Sequence, residues 1–153
     1  MVISMKVVIQ VSSNASVTID NEVVGKIDKG YTILVGICNE DTKEIVEKMA
    51  NKIVGLRIFP DSNGKTNLSL KDVNGSILSI SQFTLYADCK KGNRPSFTNA
   101  GGRELASSLY DYFNDYLVSL GYNVQRGRFG ADMYVSLTNE GPFTIVLDSK
   151  EVL

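Results

Sequence analysis

Ser81-Gln82-Phe83-Thr84 sets two hydroxyls and a carboxamide at the end of an apolar run that starts at Ser76. A strand end that exposes backbone N–H groups beside hydroxyls can stabilise an oxyanion, so acyl chemistry is one reading. Ser and Thr also form ordinary turns at such places. A second segment, Asn139-Glu140-Gly141-Pro142-Phe143-Thr144, reads as a tight turn. If its Gly-Pro bond is cis, it would expose two carbonyls in a fixed direction. A third, Gly127-Arg128-Phe129-Gly130-Ala131-Asp132-Met133, flanks an aromatic with two glycines, a sign of close backbone approach. A fourth, Arg94-Pro95-Ser96-Phe97, follows a basic pair, Lys90-Lys91. None of the four is diagnostic alone.

What the chain lacks narrows the chemistry further. It contains no histidine, which removes every Ser-His and Cys-His nucleophilic arrangement. The commonest transition-metal ligand goes with it, so a zinc hydrolase is a poor fit and no metal is expected. Hydrolysis must use another base or none from the protein. Cys38 and Cys89 lie far apart and form neither a CxxC pair nor a ligand cluster.

The formal net charge is −1, whereas proteins that grip long stretches of nucleic acid backbone carry a basic excess. Lys90, Lys91 and Arg94 form one local basic cluster and Arg126 with Arg128 another. Both read as solvated faces, and an RNA partner would be touched only near a terminus. No apolar run approaches the ~20 residues of a membrane span. The start of the chain has no signal-peptide pattern, so a cytoplasmic address is expected.

The elements that must position these segments follow from periodicity. Met5 to Val11, Ala15 to Ile19 and Tyr31 to Ile37 read as strands, with Asp20-Asn21 as a turn. Asp41 opens a helical pattern in which Ile45, Met49 and Ile53 recur every four residues until Gly55. Leu56 to Phe59 and Leu68 to Leu70 flank an Asn63-Gly64 turn. Leu105, Leu109, Tyr112, Phe113, Tyr116, Leu117 and Leu120 trace one face of a second helix, which Gly121 stops. Met133 to Leu137 and Phe143 to Leu147 read as two final strands. The 153 residues carry no repeat or linker, which indicates a single domain over 1–153. Helices that do not alternate strictly with strands indicate an α+β fold with a barrel-like, largely antiparallel sheet and two main flanking helices.

Taken together and in order, the segments resemble the D-aminoacyl-tRNA deacylase family over about Met5 to Asp148. Val8-Ile9-Gln10 with Ala15-Ser16-Val17, and Gly55-Leu56-Arg57-Ile58-Phe59, match its opening and central segments. Ser81 to Thr84 and Asn139 to Thr144 match its two signatures, and Arg94 to Phe97 and Gly127 to Gly130 also match. The resemblance implies a homodimer whose active sites lie at the subunit interface. It implies a cis Gly-Pro loop, Gly141 and Pro142, that reaches into the partner's pocket, and a substrate that is the aminoacylated terminal adenosine of tRNA. No cofactor is implied. The chain departs from the family at Val11, where an arginine that helps hold the Gly-Pro loop usually follows the glutamine. Family chains also begin near Met5, which makes residues 1–4 an extension.

On this reading backbone N–H groups around Gln82, Phe83 and Thr84 form an oxyanion hole. Either Thr84 or a water oriented by the substrate's 2′-hydroxyl attacks, water being preferred because Thr84 lacks an activating partner. Gly141 and Pro142 would reject L substrates by clash, leaving glycyl-tRNA vulnerable. Phe83, Phe129 and Met133 are candidates to line the pocket, and Lys90, Lys91 and Arg94 to touch acceptor-stem phosphates. The rivals are a sister enzyme of relaxed chirality, a non-catalytic binding module on the same fold, and an unrelated esterase.

Overall fold

The structure is a computed structural model that describes residues 3–153. Two long strands dominate it. β1 (Lys6–Ile19) and β2 (Glu22–Gly36) form an antiparallel hairpin with Val7 opposite Val35 and Val11 opposite Tyr31. Asp20 and Asn21 both take positive φ at its tip, the conformation that short hairpin turns with matching twist require. The stretches expected as separate strands, Met5 to Val11 and Ala15 to Ile19, are therefore one strand. Backbone pairing continues through polar Ser12 and Ser13, which interrupt only the hydrophobic pattern.

The remaining elements are α1 (Lys43–Gly55), β3 (Arg57–Pro60), β4 (Thr66–Ser69), β5 (Ser76–Ser81), α2 (Arg103–Ser119), β6 (Val124–Arg126), β7 (Tyr134–Asp148) and α3 (Ser149–Val152). A 3-10 turn, Phe83–Tyr86, follows β5. Thr42 caps α1 by accepting the Ile45 N–H at 3.3 Å, a bond that satisfies one of the first-turn donors.

The main sheet has the order β6-β5-β2-β1-β7, and β3 pairs with β4 apart from it. β2–β5 and β5–β6 are parallel; β1–β2 and β1–β7 are antiparallel. Most paired residues of this sheet are antiparallel, as expected, but the expected barrel is corrected. The sheet is mixed, and it is open, with β6 and β7 as its edges. The reason is that α1 and α2 do act as crossovers, each carrying the chain back to begin a parallel neighbour. The short β6 has too few residues to show a period.

Both helices cover one face of the sheet. Val46, Met49, Ala50 and Ile53 of α1 and Leu109, Tyr110, Phe113 and Leu117 of α2 are buried against Val7, Ile9, Val11, Tyr31 and Ile33. Leu105 and Leu120, expected on the buried face of α2, are each 37% exposed at its ends. Tyr112 and Tyr116 instead reach α1, bonding Glu47 and Asn51.

A second cluster joins Ala15, Val17 and Ile27, from the far half of the hairpin, to Leu78 and Ile80 of β5. Ile77 packs in the helix-side core, so Leu78 and Ile80 point the other way. The hairpin has turned over between its two halves. Gly30 lies at that point with φ +144, and a Cβ there would come within 1.8 Å of the Ser76 carbonyl oxygen. Only glycine permits this approach of two backbones.

At the start of the chain, Ser4 is buried; its hydroxyl bonds the Asp148 carboxylate and its carbonyl accepts from Tyr86 at 2.7 Å. The expected extension, residues 1–4, falls partly outside the described residues, and Ser4 is packed into the fold. Among the described residues no helix is long and apolar enough to cross a membrane.

Candidate active site

β5 ends at Ser81, opposite Val35 of β2. The Gln82 N–H still donates to the Val35 carbonyl at 2.8 Å, and then the chain turns into the 3-10 helix. Tyr86 anchors that turn, its buried hydroxyl lying 2.7 Å from the Ser4 carbonyl and 2.9 Å from that of Gly36. Burial raises the phenol's pKa well above its usual value, so Tyr86 is a neutral strut rather than a base.

The turn forms one wall of a cleft of about 560 Å3. Ile80, Ser81, Gln82 and Phe83 come from β5 and its end; Phe97, Ala100 and Gly101 from the following loop; Arg103 from the start of α2. The 129–133 segment and Val135 of β7 complete it. Phe83 is 58% exposed, and its ring meets Phe97 edge-on at 5.2 Å. Phe129 sits 6.3 Å from Tyr110. Met133 occupies the space over Gly127, where a Cβ would lie 2.4 Å from its sulfur. Thus Ser81, Gln82, Phe83, Phe129 and Met133 line one cleft. Thr84 is not among the cleft's lining residues.

The hydrogen bonds decide which groups are free. The Gln82 N–H is engaged in the sheet, which removes it from the proposed oxyanion hole. The N–H groups of Phe83 and Thr84 begin the 3-10 helix, where the first donors have no intrahelical partner. Gln82 Nε2 donates to Thr84 Oγ1. A carboxamide is not a base in either of its orientations, and among the described residues no other side chain is hydrogen-bonded to the Thr84 hydroxyl. Cys38 offers no alternative nucleophile: burial, then the adjacent Asp41 carboxylate, push its thiol up to about 12. Among the described residues no three His, Cys, Asp or Glu side chains are grouped as a metal site would need.

Gly141 and Pro142 stand elsewhere. Their peptide bond is cis, and both residues are exposed in the middle of β7. The ladder to β1 runs Gln10–Thr144 and resumes at Ser12–Asn139. Four residues, Glu140 to Phe143, therefore face the single residue Val11, making a wide bulge rather than the expected turn between two strands. Val11 itself is buried in the core. The bulge is held by Asn139: its Oδ1 accepts the Phe143 N–H at 3.0 Å and its Nδ2 donates to Thr144 Oγ1 at 2.9 Å. Val135, near the start of β7, lines the cleft, but no residue of the Glu140-to-Phe143 bulge is among its lining residues.

Lys90, Lys91 and Arg94 are exposed on a loop closed by paired bonds between Asp88 and Ser96 at 2.7 and 2.9 Å. Arg126, of the other basic cluster, is paired with Asp115 at 3.1 Å. Sequence reasoning missed Arg103 and the clamp of Asn139. The first sits in an unremarkable helix start; the second was detectable, since Asn side chains commonly bond backbone a few residues on.

A model of the D-Tyr-tRNA(Tyr) deacylase family matches residues 8–148. Among curated proteins, the D-aminoacyl-tRNA deacylase of Lactobacillus gasseri is 59% identical over 144 residues, covering 94% of this chain and 99% of the relative. That of Bacillus cytotoxicus is 54% identical, covering 95% of this chain and all of the relative (100%). Among solved structures, a c-Myc DNA unwinding element binding protein superposes with a TM-score of 0.87 at 40% identity, covering 94% of this chain and 97% of its own. A probable eukaryotic D-amino acid tRNA deacylase shares the fold, with a TM-score of 0.84 at 19% identity over 95% of this chain and 99% of that one.

Proposed function

The chain belongs to the D-Tyr-tRNA(Tyr) deacylase family, and from that premise we propose that its cleft hydrolyses the ester joining a D-amino acid to the 3′ end of tRNA. The observation that carries the reading is the turn after β5: Ser81, Gln82 and Phe83 wall the cleft, and the Phe83 and Thr84 N–H groups begin a 3-10 helix, where the first donors have no helical partner. Two such donors match the charge that develops on a carbonyl oxygen under attack. An aminoacyl ester is already activated, and no protein base adjoins Thr84. Water oriented by the substrate's own 2′-hydroxyl is therefore the attacking group. Phe83, Phe97 and Phe129 give the terminal adenosine an aromatic surface, and Met133 fills the floor.

Chirality is assigned to Gly141 and Pro142 of a second copy. The bulge is exposed, and none of its residues lines its own chain's cleft, so a homodimer is the arrangement that would bring the two together. Val146, Tyr134 and Phe83 are 71%, 77% and 58% exposed, apolar area of the kind an interface covers. Carbonyls of that loop would take the substrate α-amino group and leave no room for an L side chain. Glycyl-tRNA, with nothing to clash, would be hydrolysed as well. A cytoplasmic protein without cofactor fits this role.

The test is deacylation of matched D-Tyr-tRNA and L-Tyr-tRNA by the purified protein with chelator present. Loss of the D ester alone supports the reading. Loss of both indicates a relaxed editing enzyme, and loss of neither a binding module.

A further inference from the structure

Arg103 is the only cationic side chain among the residues that line the cleft; Lys90, Lys91 and Arg94 are not among them. Its guanidinium carbon stands 5.9 Å from the centre of the Phe129 ring. On another side it lies against the backbone of Gly130, whose φ is +78; a Cβ there would come within 2.6 Å of Nη2. Among the described residues no carboxylate lies within ion-pair distance of it, although Asp132 lines the same cleft. A ring and a glycine thus place this guanidinium, and no acid neutralises it.

An arginine held this way keeps its fork of N–H donors for an incoming planar or tetrahedral anion. Resting on the deacylase reading, the permanent anion nearest the scissile ester is the 5′-phosphate of the same terminal nucleotide. We propose that Arg103 binds that phosphate, and so recognises the substrate as a nucleotide ester rather than as a nucleoside ester. The aromatic residues take the base while Arg103 fixes the other end of the same nucleotide. A side chain at Gly130 would displace the guanidinium from this position.

The assignment separates two small substrates that differ only in the phosphate: 3′-O-D-tyrosyl-adenosine and 3′-O-D-tyrosyl-adenosine 5′-monophosphate. The wild type is expected to prefer the phosphorylated ester by about ten-fold or more in kcat/KM, mainly through KM, the scale of one charged hydrogen-bonded contact. Arg103→Met keeps the apolar stem and is expected to abolish that preference, with Arg103→Lys recovering part of it. Arg103 is exposed, so both variants should melt with the wild type, and D-Tyr-tRNA should show the same rise in KM. A preference that survives in Arg103→Met, or is absent in the wild type, would overturn the assignment while leaving the deacylase reading intact. A wild type inactive on all three substrates would overturn the deacylase reading, and this one with it.

Discussion

Asn139 and Thr144 are joined across a bulge of their own strand: Asn139 Nδ2 donates to Thr144 Oγ1 at 2.9 Å while Asn139 Oδ1 holds the Phe143 N–H at 3.0 Å. Val11, the one residue opposite the bulge, is apolar and buried in the core, so its side chain gives the loop no hydrogen bond. The loop is thus secured from within β7. Asn139→Ala removes both bonds, worth about 1 kcal/mol each, and should let the Gly141–Pro142 loop shift. The expected outcome is a several-fold fall in the ratio of D-Tyr-tRNA to L-Tyr-tRNA hydrolysis. Thr144→Ser keeps the hydroxyl and should keep the ratio. An unchanged ratio in Asn139→Ala would mean that the clamp does not serve selectivity.

The bond from Gln82 to Thr84 bears on the nucleophile. With only a carboxamide beside it, Thr84 should not form an acyl-enzyme. Thr84→Val is expected to retain activity within about ten-fold, less than the roughly 10²–10⁴ that a positioned acid–base group supplies. Mass spectra of quenched wild-type reactions should show no acylated Thr84. An acyl-Thr84 adduct, with a far larger loss in the variant, would make Thr84 the attacking group.

Gly30 tests the fold rather than the chemistry. Alanine there would bring a positive φ of +144 and a Cβ 1.8 Å from a backbone oxygen of β5, and neither backbone can yield cheaply. Strain and overpacking together should cost about 3 kcal/mol or more, visible as a lower denaturant midpoint. Gly55→Ala meets nothing within 4 Å and serves as the mild comparison.

Asp41 supplies a pH dependence. It is buried, and desolvation raises its pKa above the ordinary 3.8, against the lowering effect of its bond from the Cys38 N–H. A carboxyl raised in the folded state stabilises fully below the unfolded pKa and loses that contribution as pH climbs through the folded one. Asp41→Asn can still accept from Cys38 but does not ionise. The stability of the wild type relative to Asp41→Asn should therefore decline as pH rises from just below 3.8. Parallel curves from urea titrations across that range would refute the assignment.

Lys90, Lys91 and Arg94 lie exposed on one loop. Replacing all three by alanine should raise KM for aminoacyl-tRNA. It should also flatten the dependence of log KM on log salt by about 0.7–0.9 for each phosphate that is no longer neutralised. An unaltered salt slope would mark them as an ordinary solvated surface.

Much of this was legible in the sequence because it rests on local rules. The periods of α1 and α2, the Asp20-Asn21 and Asn63-Gly64 turns and the polar end of β5 each depend on residues close together in the chain. The absence of histidine determined what chemistry to discard. The order of the family segments identified the chain before any geometry.

Tertiary structure alone decided the rest, because it depends on which distant backbones meet. The parallel pairing of β5 with β2 and of β6 with β5 leaves no periodic mark in sequence, and it made the sheet mixed. The capture of the Gln82 N–H by Val35, far away in the chain, withdrew one donor from the oxyanion hole. The run from Asn139 to Thr144 has the composition of a turn, yet pairing with β1 on both sides makes it a bulge in one strand. Arg103 looks like any first residue of a helix until packing sets Phe129 and Gly130 around its guanidinium. Local preference chooses turns and helices, but a free donor or an unpaired charge is defined by what the folded chain leaves without a partner.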